Sequence, residues 1–297
     1  MLKQVKGRGY SMERLYAYLG VTRQALHQQQ KAMLYQTLKE QEILRQVRHF
    51  RERHLRMGSR CLYYSLDIKR MGVTKFEELM SRNNLTVPVK RKRIKTTDSQ
   101  GSNYYPNLIN GKKLTGINQL IVSDITYYHT VNQMLYIFTL KDVYSQRILS
   151  LRASDNMKAL NALKTLDDFI KVRGSGPFPF LIHHSDNGKQ YDATVFKAEL
   201  RKLEIQISRA GNSLENGSSE SLNNIIKNHY LYDHSQIKDV KQLQKALDEL
   251  KWKLNNEKAI KTLGYRTVVD FERYILSLAE SERPIKKLYD FEKDGKS

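Results

Sequence analysis

The chain is poor in cysteine, proline and glycine, and it is short of acids. Cys61 is the one cysteine among 297 residues, which excludes an internal disulfide framework and any four-cysteine zinc site. Five prolines and 15 glycines are too few for a fibrous or low-complexity chain. No apolar run approaches the ~18 residues that cross a bilayer. The start, Met1 to Tyr10, is basic with no apolar stretch behind it, so no secretory signal is expected. Acids number 31 against 51 lysines and arginines, a net charge of +20, and 40% of residues are apolar. The length suggests about two domains. What is left is a soluble protein of a reducing compartment with an attraction for polyanions, nucleic acid first.

The excess charge is uneven. Residues 1–116 carry 24 basic and 8 acidic side chains, whereas residues 117–297 carry 27 and 23. The densest patch is Lys90, Arg91, Lys92, Arg93 and Lys95, followed by a Thr/Ser/Gly/Asn-rich stretch to Tyr104. This reads as a linker, residues 90–116, whose basic end lies on phosphates. Two segments before it share a pattern of helix, short glycine turn and helix. The first runs from Met12 through Gly20-Val21-Thr22 to His27, and the second from Cys61 through Gly72-Val73-Thr74 to Met80. In each, the glycine is expected to end a helix in the left-handed conformation, the valine to be buried and the threonine to cap the next helix. That form suits a helix laid in a DNA major groove, although any helical hairpin shares it. Residues 29–55 between them read as one long helix. The resulting division is 1–50, an N-terminal helical region, and 51–89, a second helix-turn-helix region.

From Ile117 the period changes to strands. Leu120–Tyr128, Met134–Leu140 and Tyr144–Leu151 read as an antiparallel meander, and Met157–Val172 as a helix. Then come a short strand at Phe180–His184, a helix at Thr194–Leu203, a short strand at Ile205–Ile207 and a helix from about Glu215 to Tyr230. This order is that of an α/β, RNase H-like core, expected over 117–235, with a helical extension over 236–297.

Three acids stand out in that frame. Asp124 lies inside the first strand, where a charge is costly unless paired or metal-bound. Asp186 directly follows the fourth strand, in His184-Ser185-Asp186-Asn187-Gly188, and Glu220 is on the last helix of the unit. If the first and fourth strands are neighbours, the two aspartates meet and the helix brings Glu220 beside them. Three carboxylates without histidine or cysteine select magnesium or manganese over zinc. Such a set can hold two ions and serve in-line displacement at phosphorus.

The blocks Val122-Ser123-Asp124-Ile125-Thr126-Tyr127, His184-Ser185-Asp186-Asn187-Gly188-Lys189-Gln190-Tyr191 and Ser208-Arg209-Ala210-Gly211 running on to Glu220-Ser221 resemble the signature blocks of bacterial insertion-sequence transposases. They look like the OrfB type, whose catalytic core is similar to retroviral integrases. Asn255-Asn256-Glu257-Lys258 and Leu263-Gly264-Tyr265-Arg266-Thr267 resemble that family's closing segment, with Lys258, Ile260 and Val268 departing from its usual residues. The segment from Arg56 to Leu85 resembles its helix-turn-helix region.

The resemblance implies that Asp124, Asp186 and Glu220 are the catalytic and metal-holding acids, with two divalent ions, magnesium or, in its place, manganese. It implies that Lys227 faces the DNA end, seven residues after Glu220 on the same helix face, and that Asn187, Gly188 and Gln190 shape the site. It further implies duplex DNA as partner, at element ends and target, a homodimer or higher assembly on DNA, and a bacterial cytoplasmic, nucleoid-associated location. An upstream OrfA-type partner or fusion is the family's usual companion. Between Asp186 and Glu220 lie 33 residues, slightly fewer than the family usually has, and Glu215 is a rival third acid. Two other readings stay open: a DNA-binding regulator with an inert core, and an RNase H-like nuclease without strand transfer.

Overall fold

Gly20 takes the left-handed conformation, φ 64°, just after α1 (Met12–Tyr18). Thr22 Oγ1 then accepts a hydrogen bond from Ala25 N at 3.0 Å and starts α2 (Arg23–Arg53), 31 residues without a break. The cap expected of the first helical pair is therefore present. The second pair is made differently. After α3 (Ser59–Ser65), the left-handed residue is Asp67, φ 49°, and not a glycine. A short polar side chain tolerates that region by bonding locally. Gly72, at an ordinary φ of −74°, is the N-cap of α4 (Val73–Arg82), so Thr74 lies inside the helix rather than capping it. The valines also differ from expectation: Val21 is exposed and Val73 is half-buried. The two pairs are not equivalent units. Phe76, Leu79 and Met80 of α4 close a small core with Leu62 and with Ile43, Leu44 and Val47 from the second half of α2.

The computed structural model describes residues 11–87, 105–211, 217–231 and 236–290. Lys90, Arg91, Lys92, Arg93 and Lys95 lie outside the described residues, as does Glu215. Among the described residues no helix is long and apolar enough to cross a membrane.

A five-stranded sheet follows, with β1 (Lys113–Leu114) leading into it. Its strands are β2 (Leu120–His129), β3 (Met134–Asp142), β4 (Ile148–Ser154), β5 (Ile182–Ser185) and β6 (Gln206–Arg209), in the order β4-β3-β2-β5-β6. β2, β3 and β4 are antiparallel, whereas β5 runs parallel to β2 and β6 parallel to β5. A meander followed by parallel additions on the other side of the first strand is the RNase H-like arrangement. The third meander strand begins later than the period suggests. Tyr144–Arg147 form a turn in which Gln146 takes φ 63°. There Asp142 Oδ1 accepts from Ser145 N at 2.9 Å and Ser145 Oγ at 3.1 Å.

Both sheet faces are covered, which is why β3 is buried along almost its whole length. On one face Ile121, Phe138 and Leu140 pack against Leu166 and Phe169 of α5 (Ala159–Arg173). After the single turn α6 (Lys189–Asp192), α7 (Thr194–Lys202) adds Phe196 and Leu200 to the same core. On the other face Leu135, Ile137 and Leu151 meet α8 (Gly217–Ile225) and α9 (Val240–Asn256) through Leu222, Leu243, Leu247 and Leu250. The helix carrying Glu220 does not continue regularly to Tyr230: Ile226–Tyr230 wind as a π-turn. Finally α10 (Val268–Leu276) packs Val268, Phe271 and Ile275 on Leu120, Val143 and Ile182, and β7 (Lys286–Lys287) pairs with β1. The C-terminal segment thus braces the sheet.

Candidate active site

Strand pairing decides where the two aspartates stand. Val122 of β2 is level with His184 of β5. Two residues farther along each parallel strand come Asp124 and Asp186, side by side where β5 ends. In such sheets, ligands bind at the carboxyl ends of the strands. The expectation that the first and fourth strands are adjacent is met.

Asp124 is half-buried and faces α8. Its Oδ1 accepts from the N–H of Ile125 at 2.9 Å, and its Oδ2 accepts from Asn223 Nδ2 at 2.7 Å. Burial, with the charges of Asp186 and Glu220 added, pushes its carboxyl up to about 7 despite those two donors. Asp186 is raised as well, because the surrounding protein strips water from it. The N–H of Gly188, 3.1 Å from its Oδ1, and the positive charge of Arg209 work the other way. Asp124 therefore stands in the negative field of Asp186 and Glu220. Among the described residues no group of three or more His, Cys, Asp or Glu side chains converges into a ready metal cage.

Around the acids lies a polar frame. Arg209, 3% exposed at the end of β6, donates from Nη1 to Ser185 Oγ at 2.9 Å and from Nη2 to the Tyr191 carbonyl at 2.7 Å. It therefore fixes both sides of the Asp186 loop. Asn187 Nδ2 donates to the Ala210 carbonyl at 3.1 Å, which ties that loop to the end of β6. A Cβ on Gly188 would stand 3.0 Å from Asp186 Oδ1 and would collide with the Gln190 amide. A larger residue there would push the Gln190 side chain aside. Beneath the loop, Ser123 Oγ and His183 Nε2 are 2.8 Å apart, and His184 Nδ1 and Ser208 Oγ 2.9 Å. These bonds join β2 to β5 and β5 to β6 inside the sheet.

Glu220 lies in the first turn of α8, between the buried Ser219 and Leu222. That turn is pinned by Lys141, a buried lysine of β3 whose Nζ donates to the Ser218 carbonyl at 2.9 Å. Burial, with Lys286 near, pushes the Lys141 ammonium down to about 7. Lys227 is the second residue of the π-turn.

Asn223, Arg209 and Lys141 are absent from the sequence-based site. Asn223 was signalled by its place one helical turn after Glu220. Arg209 sits inside a quoted block, but nothing in its local pattern shows that it is buried.

Residues 115–212 match the integrase core domain family. The chain is 30% identical over 173 residues to the transposase of insertion sequence element IS904 from Lactococcus lactis, covering 57% of this chain and 67% of that protein. It is 32% identical over 198 residues to a 31 kDa protein of insertion element IS600 from Shigella sonnei, covering 63% and 72%. Among solved structures, the catalytic core domain of HTLV-2 integrase in complex with magnesium, in its dimeric form, is similar at a TM-score of 0.43 with 19% identity, covering 53% of this chain and 97% of that one. The simian T-cell lymphotropic virus intasome in complex with the PP2A regulatory subunit B56 gamma gives a TM-score of 0.48 with 17% identity, covering 78% and 74%. On the core-domain match and the IS904 and IS600 relatives, the chain belongs to the bacterial insertion-sequence transposases with an integrase-type core.

Proposed function

We propose that Asp124, Asp186 and Glu220 are the acidic triad with which this transposase cuts element ends to free a 3′-hydroxyl and joins that hydroxyl to target DNA. The family makes the chain a polynucleotidyl transferase. The observation that carries the finer reading is the bridge from Asn223 to Asp124, which draws the Glu220 helix against the strand where the two aspartates lie level.

The donor set fits a hard divalent cation. It offers carboxylate oxygens alone, and the negative charges of Asp186 and Glu220 already help to raise Asp124. Two ions held there, magnesium or manganese, would activate the attacking oxygen and offset the charge that develops at phosphorus. The protein's own part is orientation. Asn223 and the N–H groups of Ile125 and Gly188 fix the carboxylate oxygens, and Arg209 holds the Asp186 loop. Asn187, Gly188 and Gln190 give that loop its shape, and Lys227 offers a cation to the DNA end.

The chain divides accordingly. Residues 51–89 and the basic residues Lys90, Arg91, Lys92, Arg93 and Lys95 of the 90–116 linker address duplex DNA, with 1–50 as a helical extension of that part. Residues 117–235 carry the chemistry and 236–297 brace it. Joining two ends requires at least a dimer on DNA, and an OrfA-type partner supplied upstream fits the family habit. The bacterial cytoplasm, at the nucleoid, is where such a substrate is found. An inert regulator is not favoured, because the relatives are transposases.

The test is incubation of labelled element-end DNA and a target duplex with the full chain and magnesium. Nicking at the ends and joined product are expected, and both should vanish with a chelator. Nicking without joined product would make the protein a nuclease, and neither would end the proposal.

A further inference from the structure

The far end of the Glu220 helix is held by a different part of the chain. His54 caps α2 at the corner that leads into α3, and it is fully buried. Its Nε2 is 2.7 Å from Glu257 Oε2, at the end of α9, and its Nδ1 is 2.7 Å from Tyr230 Oη, the last residue of the π-turn that continues α8. A carboxylate only accepts, so Nε2 carries the proton toward Glu257. In the neutral ring, Nδ1 then accepts from the Tyr230 hydroxyl. The arrangement is rigid on every side. Phe50 stacks on the His54 ring at 4.6 Å, and Arg53 Nη1 pairs with Glu257 Oε1 at 2.6 Å.

Two residues on, Arg56 Nη1 donates to the Asn228 carbonyl at 3.0 Å, which places a cation on the C-terminal carbonyls of the same helical run. The corner between α2 and α3 thus grips the π-turn at two points, Asn228 and Tyr230. A π-turn inside a helical run is rare and is frequently found at functional sites. Here it directly continues α8, which carries Asn223 and Glu220.

We propose that His54 is a positioning residue for the reaction: through Tyr230 and Glu257 it sets the rotation and depth of the Glu220 helix, so that the N-terminal helical unit is part of the active site's support as well as of its DNA contact. This rests on Glu220 being the third acid. A displacement of the order of 1 Å at a reacting group is enough to cost ~100-fold in rate. The site is therefore sensitive to a link that never touches DNA or ion.

The experiment compares wild type, His54→Ala, His54→Gln and Tyr230→Phe as full chains, with matched circular dichroism. End cleavage is measured in single turnover at saturating DNA and magnesium. His54→Ala should cut ~10-fold or more slowly with DNA affinity within about twofold of wild type. Tyr230→Phe should slow cutting in the same direction, and His54→Gln, which can still bond at both places, should recover part of the loss. Without any metal, amide hydrogen exchange should quicken across Leu222–Tyr230 in His54→Ala and Tyr230→Phe while α4 is unchanged. Wild-type rates in both variants, with lowered melting temperature alone, would reduce His54 to a structural contact. If His54→Ala does not fold, Tyr230→Phe decides, since it removes a single oxygen. A wild-type chain that cuts nothing would instead overturn the proposed chemistry and its triad.

Discussion

Asn223 Nδ2 stands 2.7 Å from Asp124 Oδ2 and is the hydrogen bond that joins the Glu220 helix to the central strand. The same side chain keeps its Oδ1 buried with no hydrogen-bond partner among the described residues. A buried amide oxygen left without a partner is unusual and points to a role for the one bond the side chain does make. That contact also lowers the Asp124 carboxyl, against burial and against Asp186.

Asn223→Ala should therefore slow end cleavage by ~10–100-fold, the usual cost of losing a group that orients a ligand. The remaining activity should need a more alkaline solution, because Asp124 loses a donor that favours its ionised form. A pH–rate series on both proteins reads both effects. An unshifted profile at wild-type rate would separate Asn223 from the chemistry.

Asp124 makes a second, independent forecast about stability. Its folded carboxyl lies at about 7 against an ordinary 3.8. The folded chain thus binds this proton more tightly than the unfolded chain. Ionising Asp124 costs nothing near pH 4, costs progressively more as pH rises, and costs its full amount above about pH 7. Asp124→Asn should melt close to wild type near pH 4 and be more stable near pH 8 by about 1–3 kcal/mol, both without metal, while cleavage is abolished. Thermal melts at the two pH values check this, and a pH-independent gap would contradict it.

The C-terminal brace depends on one buried acid. Glu272 of α10 is paired with Arg147 and with the buried Arg173 of α5, and it accepts from Ser145 Oγ at 2.7 Å. Burial works against its charge, but the contacts with Arg173, Ser145 and Arg147 together outweigh that and leave its carboxyl below the ordinary range. Its stabilisation is thus present above the unfolded value and is lost as pH falls through the lowered one. Glu272→Gln should destabilise the chain by about 3–5 kcal/mol, since Arg147 loses its carboxylate partner and the buried Arg173 keeps only its longer pairing with Asp142. Denaturant unfolding at neutral pH measures it. The gap between wild type and variant should shrink in acid.

The strands, and the presence of an acid inside one of them, were legible in the sequence because each signal is local. β-Branched and aromatic runs mark β2 and β3, and a carboxylate within such a run marks Asp124. The parts that escaped depend on tertiary partners. Ser145 and Gln146 read as strand until Asp142 and Glu272 are seen to hold them in a turn. Thr74 looks like a cap as good as Thr22, but the helix that packs Phe76 and Leu79 starts two residues sooner, capped by Gly72. The π-turn leaves no trace in the period of Leu222, Ile225 and Ile226. His54 and Arg209 look like solvent-facing polar residues, and only the fold shows them buried among designated acceptors.

The third acid can be settled by comparing two substitutions. Glu220 is fixed by the fold on three counts: its helix packs Leu222 into the sheet-face core, Lys141 holds the Ser218 carbonyl two residues before it, and Asn223 anchors the next turn to Asp124. A ligand supported in this way keeps the position that two-metal chemistry demands. Glu215 precedes the helix, outside the described residues, in the turn-rich sequence Asn212-Ser213-Leu214-Glu215-Asn216-Gly217. Glu220→Gln should lower cleavage by orders of magnitude and Glu215→Gln by about tenfold or less, both at equal DNA occupancy so that binding defects do not enter. Glu220→Gln should also let the Asp124 carboxyl fall, because Glu220 is one of the charges that raise it. That shift is readable by NMR titration without metal or DNA. The opposite order of rates, with no shift at Asp124, would move the third ligand to Glu215 and redraw the path from Ser208 to the helix.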